Sequence, residues 1–410
     1  EVLSNYGNAL MDLGEFKKAI ECYTQVLQVN PNLTEIQNSS DKAAEKDSEI
    51  DRVICNYQKS IGEGVNSPKV MLFKGTVFDL KGYSEMAIKY FKQAIKIKPD
   101  YPEAYNRLGM VSTKINKPRA AIRYYEKAIE IEPNLAEFHY NLGYVLEKEN
   151  DRIAATACFN RALEINPEYP EAMNNIGFFL RESGDFDAAI GKYKKAIEIK
   201  PVFAEAYGNM GIAYKEKGEL DLAIENLNKA LQIDPKLPDF HNSAGLVHRD
   251  TGDLEAALNS YQQAIKLDPE DAKAYWNQCL AYLTKGDFEK GWPEYEWRWK
   301  AKEDMMGKYI STSKPIWNYS RGQRVLLWAE QGIGDEVMFA SIIPELHALC
   351  SKLIVNLDER LIPIFRRSFP NDIEYSSREK PISETEYDAH IPMGSLPQHF
   401  RQAAKKIKKS

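Results

Sequence analysis

The sequence predicts a mainly α-helical protein: a right-handed superhelical solenoid of antiparallel helix pairs, followed by a small Rossmann-like α/β segment. Three observations carry this. Small and helix-breaking residues recur with one common period through most of the chain. That period stops near residue 300. Beyond it, short apolar runs alternate with helical stretches, the pattern of strands joined through helices.

The period comes first. Proline stands at Pro31, Pro99, Pro133, Pro167, Pro201, Pro235 and Pro269, and from Pro99 onward the step is 34 residues. Gly75, Gly109, Gly143, Gly177, Gly211 and Gly245 keep the same phase, as do Ala87, Ala121, Ala155, Ala189, Ala223 and Ala257. An aromatic recurs at Phe91, Tyr125, Phe159, Tyr193 and Tyr261, with Leu227 as the exception. Glycine and alanine at fixed phase mark a close helix crossing, where a larger side chain would force the axes apart. The aromatic is expected to fill the gap to the next unit. Proline ends the second helix of each pair, because it cannot continue a helix interior. Gly184-Asp185 and Gly252-Asp253 read as the turns inside the pairs.

These positions resemble the tetratricopeptide repeat family. The resemblance covers roughly 1–300, with the solenoid expected over 1–290, a degenerate unit at 34–67, a capping helix and linker at 291–315 and the α/β part at 316–410. The last unit begins at Ala272 and carries Cys279 where glycine is usual; an end repeat must present a different face.

In such a solenoid the first helices line the concave side, and one position per unit stands out: Asn5, Asn141, Asn175, Asn209 and Asn277. A carboxamide both donates and accepts, so a row of them could grip an extended peptide backbone without reading its side chains. The row resembles the asparagine ladder of the O-GlcNAc transferase family. Asparagine there could equally hydrogen-bond within the repeats, and both readings stand at this point. Tyr140, Tyr144 and Phe178 lie beside the row as candidate anchors. The expected partner is therefore a protein or peptide.

After the repeats, Arg324–Trp328 and Lys352–Leu357 read as buried strands, and 373–375 as a possible third. Between the first two lies Glu330-Gln331-Gly332-Ile333-Gly334-Asp335. Glycines at a strand's carboxyl end let a ligand approach the backbone, and a helix N-terminus favours anions; a plain turn with Asp335 as N-cap reads the same residues without a ligand. The stretch from Gly291 to Trp299, Pro315-Ile316-Trp317 and the run from Trp328 to Asp335 resemble tetratricopeptide proteins that end in a glycosyltransferase-like domain. That domain is similar to the amino-terminal half of the heptosyltransferase-type GT-B fold, and 388–397 resembles a stretch late in that half. The resemblance implies that Asp335 acts as base or acceptor-positioning group, flanked by Glu330 and Gln331. It also implies a sugar-nucleotide donor held mainly by a second half. Residues 1–410 have no room for one, so no cofactor is expected in this chain. Two functions follow: an interaction scaffold joined to an incomplete glycosyltransferase-like domain, or a fragment of a glycosyltransferase that modifies a protein or glycan.

Composition narrows the field. The formal net charge is -6, with the negative charge on the repeats, which argues against a nucleic-acid partner. Cys22, Cys55, Cys158, Cys279 and Cys350 show no paired spacing, and the six histidines show no ligand spacing, so reduced thiols and no metal are expected. No apolar run approaches the roughly 18 residues of a membrane helix. The expected location is cytoplasmic.

Overall fold

A computed structural model describes residues 18, 19, 22, 25, 26, 54, 57, 64, 66–301 and 309–401. Asn5 and most of the degenerate unit at 34–67 lie outside the described residues. The chain divides into two compact units, Glu1–Pro201 and Val202–Ser410.

The first unit contains α1 (Pro68–Leu80), α2 (Ser84–Ile97), α3 (Pro102–Lys114), α4 (Pro118–Ile131), α5 (Ala136–Lys148), α6 (Arg152–Ile165), α7 (Pro170–Glu182) and α8 (Phe186–Ile199). Each first helix packs on its own second helix, which packs on the next first helix. The repeating proline sits just past the end of each second helix, where it stops propagation, and the next first helix starts three residues later. The turns inside the pairs use one left-handed residue per unit. Gly82 and Gly184 take it at φ +87 and +84, and Asn116 and Asn150 take it at φ +55 and +62, the side chain that best tolerates this region. Asp151 and Asp185 then cap the second helices, accepting the backbone N–H of Ala154 and Ala188 at 3.1 Å.

The aromatic reaches the next unit as expected and also packs within its own pair. A Cβ on Gly177 would stand 2.6 Å from the ring of Tyr193, and one on Gly143 2.8 Å from Phe159, so each ring lies first on the glycine of its own pair. Phe159 reaches the next unit as well, with its centroid 6.1 Å from that of Phe179. The glycine is small because the aromatic occupies its side-chain space.

The second unit continues with α9 (Ala204–Lys217), α10 (Leu220–Ile233), α11 (Pro238–Asp250), α12 (Leu254–Leu267) and α13 (Ala272–Lys285). Its last pair is broken. The second helix runs as α14 (Phe288–Glu294), a 3-10 turn at Tyr295–Trp297 and α15 (Arg298–Ala301), with Pro293 inside it. The phase nevertheless holds. Gly291 takes the alanine position, Tyr295 the aromatic position, and Cys279 the glycine position, its Sγ 3.2 Å from the Gly291 carbonyl oxygen.

The α/β part is a parallel sheet of four strands: β1 (Arg324–Trp328), β2 (Lys352–Leu357), β3 (Glu374–Ser377) and β4 (Ala389–Pro392), in the order β3-β2-β1-β4. Val325 pairs with Leu353 on one side and Ala389 on the other. β1 and β2 keep their expected bounds. β4 was not foreseen as a strand; its four residues are buried on both faces, so it lacks the alternation that marks an exposed strand. Between the strands the helical stretches are short: α16 (Ile333–Phe339) and α17 (Ile343–His347) are separated by a 3-10 turn, and α18 (Ile362–Ser368) follows another. One face of β1 buries Val325 and Leu327 in a core shared with Cys279 and Tyr295 of the last repeat. The opposite face buries Leu326 and Trp328, with Trp299 packed beside them. The sheet thus grows directly on the terminal repeat.

Candidate functional site

Two surfaces gather the predicted site residues. The first is the face of the first helices that the second helices leave uncovered. On α5, Phe138, Leu142 and Val145 point into the core, while Asn141 and Tyr144 stay partly open, Tyr144 at 40% exposure. The carboxamides are partly engaged with each other. Asn141 donates to Asn106 Oδ1 of the preceding unit at 3.0 Å, and Asn106 in turn donates to Glu137 at 3.0 Å. In the second unit Asn277 donates to Asn242 across the same step, also at 3.0 Å. Asn174 donates weakly to Asn175 at 3.5 Å. Asn209 is half-buried on α9. The local reading of the ladder therefore describes one N–H of Asn141 and of Asn277.

The flanking aromatics divide. Tyr140 packs edge-on against Tyr169 with ring centroids 5.0 Å apart and belongs to the inter-helix core. Burial pushes its phenol up to about 12, and Asn175 hydrogen-bonds to it. Tyr144 and Phe178 remain accessible, each with a cation over its ring: Lys148 at 5.4 Å and Arg181 at 5.0 Å.

The second surface is the carboxyl edge of the sheet. Glu330 stands two residues past the end of β1 and is buried at 4% exposure. Its Oε1 accepts from Arg298 at 3.1 Å, Gln331 at 3.2 Å and the Gly394 backbone N–H at 3.0 Å. Arg298, with no exposed surface, also donates to Glu296 at 2.8 Å and to Ser395 Oγ at 2.9 Å. Gln331 accepts from the Tyr295 hydroxyl at 3.2 Å. Arg298 and Glu330 are thus withdrawn behind the loop, with Glu296 pairing to the same guanidinium while still partly exposed. A Cβ on Gly394 would lie 2.4 Å from Glu330 Oε1, so only glycine lets the backbone come this close.

Gly332 and Gly334 are exposed, and Asp335 is half-buried. Gly332, not Asp335, is the N-cap of α16; Asp335 sits in the first turn and accepts the Gly332 N–H at 3.1 Å. Glu336 beside it is buried, pairs with Arg378 after β3, and accepts the Asp358 N–H at 2.9 Å. Two carboxylates in one short first turn offset the attraction that a helix terminus has for an anion. The space inside the loop, bounded by Glu330, Asp335 and Met393, leaves no room for a water-sized molecule.

Comparison with known proteins settles the repeats. Models described as tetratricopeptide repeat match residues 1–33, 68–101, 102–135, 136–169 and 158–191, and one described as TPR repeat matches 179–218, 211–249 and 245–286. The chain is a tetratricopeptide repeat protein. It is 35% identical over 85 residues to Protein FlbA of Caulobacter vibrioides, covering 20% of this chain and 14% of that protein. It is 29% identical over 116 residues to Tetratricopeptide repeat protein 13 of Homo sapiens, covering 27% of this chain and 13% of that one. The matched stretches are a small part of either relative. Among solved structures, the APC/C hetero-tetramer Cut9-Hcn1 superposes with a TM-score of 0.52 at 16% identity, over 65% of this chain and 52% of that one. That likeness concerns the fold.

As a tetratricopeptide repeat protein, the chain is a protein-interaction scaffold, and its repeats follow the family's phase as far as Tyr295. Sequence reasoning missed Arg298, Glu296 and Ser395 as members of one cluster. Arg298 and Ser395 are 97 residues apart, and no periodic signal joins them. The one visible hint was a pair of charges inside an aromatic run, Glu296 and Arg298 among Trp297 and Trp299. Among the described residues no helix is long and apolar enough to cross a membrane.

Proposed function

We propose that the first-helix faces of the repeats bind extended peptide or protein segments, with Asn141 and Asn175 in the first unit, and Asn209 and Asn277 in the second, contacting the backbone, and Tyr144 and Phe178 of the first unit contacting side chains. The observation that carries this is the open face of α5: Tyr144 is exposed beside Asn141, whose carbonyl oxygen and second N–H remain after the bond to Asn106. A photo-crosslinker placed at Tyr144 should capture the partner, whereas one at Ile153, 87% exposed on α6, should not. Replacing Asn141, Asn175 and Asn209 together with Ala should reduce the yield at Tyr144 with helical circular dichroism intact. Equal capture from both positions would refute the reading.

A second reading concerns the sheet. Its order β3-β2-β1-β4, all parallel, matches part of the dinucleotide-binding order, in which ligands meet the carboxyl ends of strands where the order reverses. This supports an amino-terminal GT-B-like half, with Asp335, Glu330, Gln331, Gly332 and Gly334 at its edge and a sugar-nucleotide donor held largely elsewhere. Titration of this chain with sugar nucleotides should show no affinity tighter than millimolar. Micromolar binding lost in Asp335→Ala would instead make this edge a complete site.

A further inference from the structure

Where α15, the stretch 309–319 and the carboxyl end of β4 meet, the second unit holds a cavity of about 230 Å³ that the glycine loop does not use. Pockets for drug-sized ligands begin at about 300 Å³, so its occupant is small. Aromatic rings form much of the wall. Trp299 and Tyr309 meet edge to face with centroids 5.2 Å apart, and Tyr319 lines the cavity with them. Tyr319 stands at φ +68, a left-handed conformation uncommon for a bulky side chain, with its ring 4.6 Å from Trp317 and 3.6 Å from His399. The Arg298 guanidinium already lies over the Trp299 ring at 4.6 Å. Among the described residues, the Tyr309 and Tyr319 rings carry no such cation.

The charge at this wall is one-sided. Glu296 is the one charged residue among those lining the cavity, and its side chain is 37% exposed. Its Oε1 accepts from Arg298 at 2.8 Å and Ser395 Oγ at 2.6 Å, while its Oε2 accepts from Trp299 Nε1 at 3.2 Å and keeps a second lone pair. Arg298 is fully buried behind the wall and is shared with Glu330 at 3.1 Å. Two carboxylates thus divide one guanidinium, and the carboxylate that reaches the cavity is Glu296. Arg378, the other cation near Glu330, is paired with Glu336. Burial and, next, the Glu296 carboxylate hold the Tyr309 phenol above its ordinary value, and Arg298 opposes them more weakly. Burial pushes the His399 imidazole down to about 4, so the ring beside Tyr319 is neutral near pH 7.

This combination selects among occupants. An anion would meet Glu296. A purely apolar group would cover the carboxylate without neutralising it, which is costly. A primary ammonium brings three N–H donors, and aromatic walls offer them few acceptors. A trimethylammonium group has no donor to satisfy, and its positive methyl surface suits ring faces.

We propose that this cavity is a trimethylammonium site, taking choline or the side chain of a trimethylated lysine. It uses neither the first-helix face nor the glycine loop, so failure of either reading above leaves it untouched.

The test is saturation-transfer NMR on the 410-residue chain. The probes are choline, its neutral isostere with a tert-butyl group in place of trimethylammonium, and ethanolamine. Choline should receive saturation, and the other two should receive little. Tyr309→Leu should weaken choline binding about two- to thirtyfold, the range of a cation on a ring, whereas Tyr309→Phe keeps the ring and the binding. Tyr309 is 43% exposed, so thermal melts should not move in either variant. A peptide carrying trimethyllysine separates the two sources. Competition with choline assigns a protein side chain, and its absence assigns the free amine; both keep the trimethylammonium site. Equal saturation of choline and its neutral isostere, no transfer to choline, or equal affinity in Tyr309→Leu and Tyr309→Phe would overturn the proposal.

Discussion

In α7 and α8 the ring of Tyr193 occupies the side-chain space of Gly177, a contact within one helix pair. In the α/β segment the comparable contact joins Gly394 to Glu330, which stand 64 residues apart. Both glycines are small for the same steric reason, yet their partners differ in kind. Tyr193 is an aromatic ring in a core of alanines, repeated with small variation in every unit. Glu330 is a charge buried against Arg298, and that arrangement occurs once. The repeats are stabilised by many equivalent apolar contacts between near neighbours, so one lost contact is felt mainly by adjacent units. The α/β segment concentrates its specificity in a single buried polar cluster that ties the last repeat to the ends of β1 and β4.

The largest expected effect separates these two designs. Arg298→Met removes one partner and leaves the Glu330 carboxylate buried, a loss of about 3–5 kcal/mol. Chemical denaturation should show the α/β transition moving to lower denaturant, and Arg298→Met combined with Glu330→Gln should recover part of the loss. A single mutant as stable as the parent would show that the cluster is solvated.

Gly177→Ala probes the repeats. Its new Cβ would meet Tyr193 at 2.6 Å, so the ring or a helix must shift, at about 1–3 kcal/mol for overpacking. The loss should appear in the helical melt. An unshifted transition would mean that the helix crossing relaxes freely.

The smallest effect tests the junction by pH. Burial raises the Glu294 carboxyl to about 7. A raised folded-state value means the folded chain holds this proton more tightly than the unfolded chain does. Stability should therefore decline as pH rises from about 4.5 to about 7. Glu294→Gln should flatten that slope. An identical slope in both proteins would place the carboxylate in water.

How much was legible follows from the same contrast. The helix pairs could be read because glycine, alanine and aromatic return every 34 residues, and each position is set by contacts inside the pair or with its neighbour. The ring's contact with the next unit was foreseen, and its contact with the glycine of its own pair was not. Periodicity shows that Gly177 and Tyr193 belong to one unit but not which surfaces touch. β1 and β2 could be read as continuous apolar runs, while β4 is only four residues long and carries His390 in its middle.

By itself, then, the sequence determined the repeat register, the bounds of the first two strands and the family, because those depend on composition and spacing along the chain. Tertiary structure alone decided that Tyr140 turns into the core while Tyr144 stays open, and that Asp335 sits in the first turn of its helix rather than at the N-cap. It also decided that Arg298 draws Glu296, Glu330 and Ser395 together. The reason is physical. A periodic apolar contact is specified by local spacing, whereas a buried charge finds its partners only when distant segments fold around it and exclude water.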